Sequence, residues 1–242
     1  MPEFLYSAPN EKYNEHISRC KEKLKIIFPV FYFTIKKVLG INNEYEIVYN
    51  YFLRMVEFHD LGKLTKKWQE RVGTNKKLPS HAPIGAAYLW KTLPENIKAP
   101  ISFAVAIHHT DKGLLGDNIE RPDVQAILDN VVDYAGHIIW DNRAIGLREI
   151  ELFPEEAEDL TVNDLKEMAR GLRVWARGRS LLEQHQRRLQ ASLVHHILKL
   201  CDISAATERS DYQDKEESHY GGWLMVDNIK SYVDSLTKRI GL

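Results

Sequence analysis

Apolar side chains return every three or four positions along most of the chain, the spacing that puts them on one face of an α-helix. The pattern predicts a first helix from about Asn10 to Phe28, with Pro29 ending or kinking it, and a second from Val30 to Leu39, stopped at Gly40. A third begins near Asn43 and carries Ile47, Val48, Tyr51, Phe52, Met55 and Val56 toward His59. Lys63 to Trp68 reads as a short basic helix. Ser80 is placed as an N-cap, with Pro83 tolerated in the first turn of a helix that runs on through Trp90. Pro94 and Pro100 bracket a turn, and Ile101 to Ile107 then lead into His108 and His109. Val124 to Tyr134 is amphipathic. A long helix is expected from Leu181 to Thr207. A last one runs from Gly222 to Lys238, with Trp223, Met225, Val226, Ile229, Val233 and Leu236 as core residues. Period-two alternation is weak throughout, so the expected fold class is all-α.

One stretch breaks the helical rhythm. From Arg148 to Glu167 the chain is acidic, with Glu155-Glu156 and Glu158-Asp159 after Pro154, and it reads as an exposed connection or lid. Thr161 and Asp164 can cap the helix that follows.

Composition narrows the function classes. A chain of 242 residues, 44% hydrophobic, fits one large domain or two small ones, and a single domain over residues 1–242 is expected. The 33 lysines and arginines balance 34 acids, which argues against coating nucleic acid by bulk charge but leaves room for a local basic groove. The two cysteines, Cys20 and Cys201, make no zinc-binding pattern and suit a reducing compartment. No apolar run is long enough to span a membrane, and Met1-Pro2-Glu3-Phe4 lacks the features of a signal peptide, so a cytoplasmic location is expected.

The chemistry lies in an ordered series of histidines and aspartates. His59 and Asp60 stand side by side in Glu57-Phe58-His59-Asp60-Leu61-Gly62-Lys63, followed by His81 in Ser80-His81-Ala82, the doublet His108-His109, and Asp202 after Leu200-Cys201. His16 lies upstream. Imidazole and carboxylate together can hold one or two divalent ions that activate water against a phosphodiester. Neighbouring positions of a regular helix diverge by about 100°. At a helix end such as that before Gly62, however, both side chains of the pair can turn toward one ion. Asp202 has apolar neighbours, where a carboxylate is costly to bury unless paired or metal-bound. Each residue also has an ordinary alternative: His81 as a first-turn residue, His16 as a surface residue among Asn14, Glu15 and Arg19, and Asp202 as a helix-surface carboxylate. His195 falls on the Asp202 face and can line the site, although a partly buried core histidine is the commoner case. His137, His185 and His219 read as structural or surface residues, and both cysteines as small packing residues.

This series, His16, His59-Asp60-x-Gly62-Lys63, Ser80-His81-Ala82, His108-His109 and Asp202, resembles the HD superfamily, and within it the CRISPR-associated HD nuclease of type I interference. The resemblance spans about Asn10 to Arg209. It implies a helical bundle around a metal site and a metal-dependent nuclease for single-stranded DNA, partnered by a separate or fused CRISPR-associated helicase and a crRNA-guided surveillance complex. It further implies that His16, His59, Asp60 and Asp202 hold one ion, that His81, His108 and His109 hold a second with Asp60 bridging, and that Lys63 positions a phosphate or offsets charge. Asp60 and Lys63 are therefore the expected catalytic residues. The imidazole-rich set favours Mn, Fe, Co, Ni or Zn on ligand softness, while availability can make Mg or Mn the working ion.

Two cationic clusters are candidate DNA surfaces. One is Lys63, Lys66, Lys67, Arg71, Lys76 and Lys77, with Trp68 interleaved. The other is Arg170, Arg173, Arg177, Arg179, Arg187 and Arg188, with Trp175. The first has the better claim, because it directly follows the metal pair; the second reads as ordinary solvated helix surface. Two other functions compete with the nuclease: an HD phosphohydrolase of free or cyclic nucleotides, and a non-catalytic helical adaptor with a structural metal site.

Overall fold

The computed structural model describes residues 4–109, 120–208 and 223–240. The turn expected at Thr110 to Gly113, His219, and the side chains of Trp223, Met225 and Val226 lie outside the described residues. The framework is helical. Two long helices, α1 (Tyr13–Leu39) and α9 (Leu181–Thr207), lie against each other over the most extensive contact in the molecule. α2 (Tyr45–Phe58) flanks α1. α3 (Lys66–Arg71) follows a 3₁₀ turn at Leu61–Leu64. α4 (Ala82–Thr92) and α5 (Glu95–Ala106) form a packed pair, with α5 resting on α9. Two short helices, α6 (Pro122–Leu128) and α7 (Glu155–Glu158), precede α8 (Val162–Arg177), which covers α4. α10 (Trp223–Ile240) leans on α9 and α1.

The all-α expectation holds, and several local expectations need correction. Pro29 neither ends nor breaks α1, which runs unbroken from Tyr13 to Leu39. Pro29 and Lys25 are exposed, so the carbonyl that the proline leaves without a donor faces water, while Ile27, Phe28 and Ile35 stay buried on the other side. Gly40 ends the helix as expected, in the left-handed region at φ 67°. Pro100 lies inside α5, and its missing donor would have served Asn96, an exposed residue in the first turn. Ser80 is not the N-cap of α4. His81 occupies that position, while the Ser80 N–H donates to Asp129 at 3.0 Å. The amphipathic segment from Val124 is helical only to Leu128.

The sequence gives no sign of a small hairpin, β1 (Tyr6–Ala8) paired antiparallel with β2 (Glu11–Lys12). Gln69 pins it in place: its amide donates to the Tyr6 and Lys63 carbonyls, each at 2.8 Å, and its oxygen accepts from the Tyr6 N–H at 3.0 Å. The acidic stretch 148–167 turns its carboxylates outward but is not a loose connection. Leu152, Phe153, Ala157, Leu160 and Leu165 are buried in the core, and Thr161 with Asp164 forms the expected capping box on α8.

Candidate metal centre

The site is assembled by five helix termini and faces, held together by two glycines. α2 ends at Phe58, so His59 and Asp60 fall where the chain tightens into the 3₁₀ turn. His81 opens α4, His108 and His109 follow the end of α5, His16 comes from the first turns of α1 and Asp202 from within α9. A Cβ on Gly62 would lie 2.3 Å from the His81 carbonyl oxygen, and one on Gly85 would lie 2.3 Å from that of Phe58. These glycines let the His59-Asp60 corner and the start of α4 touch backbone to backbone. That close approach gives the Gly in His-Asp-x-Gly and the Gly after Ser-His-Ala a physical reason.

Asp60 is the centre. Its Oδ2 lies 3.4 Å from His16 Nε2, 3.4 Å from His59 Nε2 and 2.7 Å from Lys63 Nζ. Its Oδ1 lies 3.2 Å from His81 Nε2 and 3.5 Å from His108 Nε2. Asp202 Oδ1 stands 3.3 Å from His16 Nε2 and 3.8 Å from His59 Nε2. The donor atoms fall into two groups, each within 4.8 Å of one another: His16, Cys20, His59 and Asp202; and Asp60, His81, His108 and His109. The His109 ring packs on those of His108, at 3.9 Å between centroids, and His81, at 4.7 Å.

The protonation pattern suits a cation. The Nδ1 atoms of His59 and His108 donate to the carbonyls of Val56 at 2.8 Å and Val105 at 2.6 Å, so Nδ1 carries a hydrogen and Nε2 is the atom turned toward the site. His16 Nδ1 likewise faces Glu11 Oε1 at 3.1 Å. Burial works against the ionised form of Asp60, but the charges of His59 and Lys63, with the imidazoles of His108 and His81 close by, outweigh it and hold the carboxyl well below its ordinary range. Asp202 is held low in the same way against burial by His16 and His59. Burial lowers His81 to about 4, against the pull of Asp60, so it is neutral at pH 7. His16 goes the other way: burial lowers it, and Cys20, Asp202 and Glu11 together raise it well above the usual histidine value. A cation arriving there would displace that proton.

Buried polar atoms ordinarily find partners. Here His59 Nε2, His81 Nε2 and His108 Nε2 are buried without a hydrogen bond, and the buried Asp60 carboxylate among them has the Lys63 ion pair but no geometrically sound hydrogen bond. That is the donor set a divalent ion satisfies.

The structure thus brings His16, His59, Asp60, His81, His108, His109 and Asp202 together, with Lys63 beside them. Lys63 is buried, paired with Asp60 and 3.4 Å from Ser7 Oγ, and it lines a cleft of about 260 Å³ with Ser7, His16, His109, Lys199 and Asp202. His195 is partly buried on the Asp202 face of α9. Sequence reasoning missed Glu11 and Ser7, which only the hairpin carries to the site. It also set Cys20 aside as packing, yet its Sγ lies 3.5 Å from His16 Nε2. The i, i+4 spacing of His16 and Cys20 on one helix was the available signal.

The two basic clusters differ in how far their tryptophans are covered. Trp68 is 2% exposed, a core residue with no face for stacking. Lys67 pairs with Glu70, and Arg71 donates to the Lys77 carbonyl. Trp175, by contrast, is half-buried beside a cleft lined by arginines.

No protein-family profile matches the chain. Among curated proteins it is similar to the CRISPR-associated endonuclease Cas3-HD of Thermoproteus tenax, 27% identical over 210 residues, covering 82% of this chain and 86% of that protein. Among solved structures it resembles the CRISPR-associated Cas3 HD domain protein of Methanocaldococcus jannaschii, with a TM-score of 0.57 and 17% identity, covering 81% of this chain and all of that one. The structural likeness establishes the fold alone. Joined to the sequence match and the histidine-aspartate cluster, it supports a CRISPR-associated HD-domain protein, from a family of metal-dependent hydrolases and nucleases.

Proposed function

We propose that this chain is a metal-dependent nuclease that hydrolyses phosphodiester bonds of single-stranded DNA in CRISPR interference, working with a separate or fused helicase at a target opened by a crRNA-guided complex. The observation that carries the reading is the split role of the Asp60 carboxylate, one oxygen toward each donor group. His16, Cys20, His59 and Asp202 would hold one divalent ion, and His81, His108 and His109 a second, with Asp60 shared. Bound there, the ions supply a water of lowered pKa and a counter-charge for the phosphate and the departing oxygen.

The chain's own residues do the rest. The Val56 and Val105 carbonyls fix the imidazole tautomers, and Glu11 orients His16. Lys63 neutralises part of the Asp60 charge and, with Lys199, gives the cleft a positive wall where a phosphodiester can dock. Apart from histidine, no aromatic ring lines that cleft among the described residues, which favours a strand lying across it over a base-gripping nucleotide pocket. There is no Gly-x-x-x-x-Gly-Lys-Ser/Thr phosphate loop in the sequence, so strand separation falls to the helicase.

The deciding assay presents labelled single-stranded DNA, blunt duplex DNA and a panel of free and cyclic nucleotides, each with Mg, Mn, Co, Ni and no metal. The expected result is cleavage of the single strand alone. Turnover confined to nucleotides would make the chain a nucleotide phosphohydrolase, and equal rates on duplex and single strand would remove the need for a helicase.

A further inference from the structure

Resting on the nuclease reading above, we propose that the cleft where α8 ends and α9 begins holds a nucleotide unit of the same single strand whose phosphodiester lies at the metal centre. The cleft measures about 290 Å³ and is lined by Phe103, Arg173, Trp175, Arg177, Arg187 and Arg188 among others, with no carboxylate in the lining. In a chain whose charges balance at 33 to 34, four arginines around one cavity are a local concentration of positive charge.

The aromatic component is fixed in place. Trp175 packs against Phe103 with centroids 5.8 Å apart, and the Arg187 guanidinium sits 5.8 Å from its ring. Arg187 is itself anchored, donating to the Trp175 carbonyl and pairing with Glu183. Arg177 and Arg188 are exposed and make no ion pair among the described residues. An indole with unpaired guanidinium groups beside it is the combination that takes a base and its phosphate.

One helix face connects this cleft to the metal centre. Arg188, Ser192, His195, Lys199 and Asp202 recur at spacings of four, three, four and three, so they form a single stripe along α9. The stripe grades from exposed Arg188 and Ser192, through partly buried His195 and Lys199, to buried Asp202. Its outer end lines the arginine cleft and its inner end, Lys199 and Asp202, lines the cleft at the metal centre. The rise of an α-helix separates Arg188 from Asp202 by roughly 21 Å. A strand stacked at roughly 3.4 Å per nucleotide covers that span in about six nucleotides, an extended one in fewer.

The test uses the full chain in chelator, where nothing is cut, and reads the anisotropy of labelled oligothymidylates from dimer to dodecamer. The variants are Arg177→Gln/Arg188→Gln and, separately, Trp175→Leu. Wild-type affinity should climb steeply to about six nucleotides and then level. The double variant should bind the long strands at least about tenfold more weakly. Its slope of log affinity against log salt should be shallower by about 1.4, two phosphate contacts at roughly 0.7 each. With manganese, turnover of bis-p-nitrophenyl phosphate, too small to reach the arginine cleft, should be unchanged in the double variant.

Unaltered long-strand affinity and salt slope in a double variant of wild-type melting temperature would overturn the proposal. So would thymidine monophosphate binding as tightly as the dodecamer, which would mark an effector pocket. A wild-type chain that hydrolyses neither DNA nor the small diester with any metal would instead sink the nuclease reading, while the anisotropy arm still decides whether the strand is held in this cleft.

Discussion

The two donor groups at the metal centre are built differently. His16, Cys20 and His59 are buried, and His16 is braced from behind by Glu11, itself 2% exposed. Of the other group, His81 is partly exposed and His109 stands at the rim, with only Asp60 and His108 buried. The first group takes most of its donors from the long helices α1 and α9, the second from Asp60 and from helix ends, and both reach the cleft, through His16 and Asp202 in one and His109 in the other. If each group holds an ion, as proposed above, the more buried donors of the first predict a deep ion that is retained, and the partly exposed His81 and His109 of the second a rim ion that exchanges.

The sharpest way to break that comparison is to remove the residue the groups share. Asp60→Ala should lose both ions and drop cleavage to the metal-free background while keeping its helical circular dichroism, since it removes an ionised carboxylate from a buried position. Full activity in that variant would dismiss the shared carboxylate. Next in size is the clasp between the groups. Gly62→Ala forces a methyl against the His81 carbonyl and should cost about 1–3 kcal/mol of stability by urea denaturation, with metal affinity falling alongside.

The comparison is then sharpened by taking one group at a time. His109→Ala should leave one tightly held ion per chain by elemental analysis, whereas His16→Ala should weaken the deep ion. Equal loss in both would mean the groups are not distinct. Glu11→Gln, which removes the brace and not a ligand, should weaken the deep ion about 10–100-fold and spare the rim ion. The smallest expected effect is that of Lys63→Ala, about a tenfold loss of turnover, the worth of one charge-assisted contact, with metal content nearly unchanged. Metal lost together with activity would make Lys63 a structural support for Asp60.

How far the sequence could be read follows the same division between local and distant. The helix pattern and the limits of α9 were legible, because apolar periodicity and caps act over a few residues. So was the His-Asp series, whose members have no better use inside a core than to ligate or pair. Pro29 misled because a proline on the wet side of a helix costs far less than one facing the core. The hairpin was invisible: strands of three and two residues are too short to show alternation, and with them went Glu11 and Ser7. The tryptophans of the two basic clusters could not be told apart in the sequence, since whether a tryptophan is core or platform depends on what packs over it. Trp68 is covered and Trp175 is only half covered.

The central claim is that Asp60 joins two unequal metal sites. Manganese titration followed by electron paramagnetic resonance tests it most directly. The account predicts a first, tight ion, then a second, weaker one whose arrival converts the isolated-ion spectrum into that of a spin-coupled pair, with the coupling absent in Asp60→Ala. A spectrum that stays that of isolated manganese at saturation, unchanged by Asp60→Ala, would contradict it.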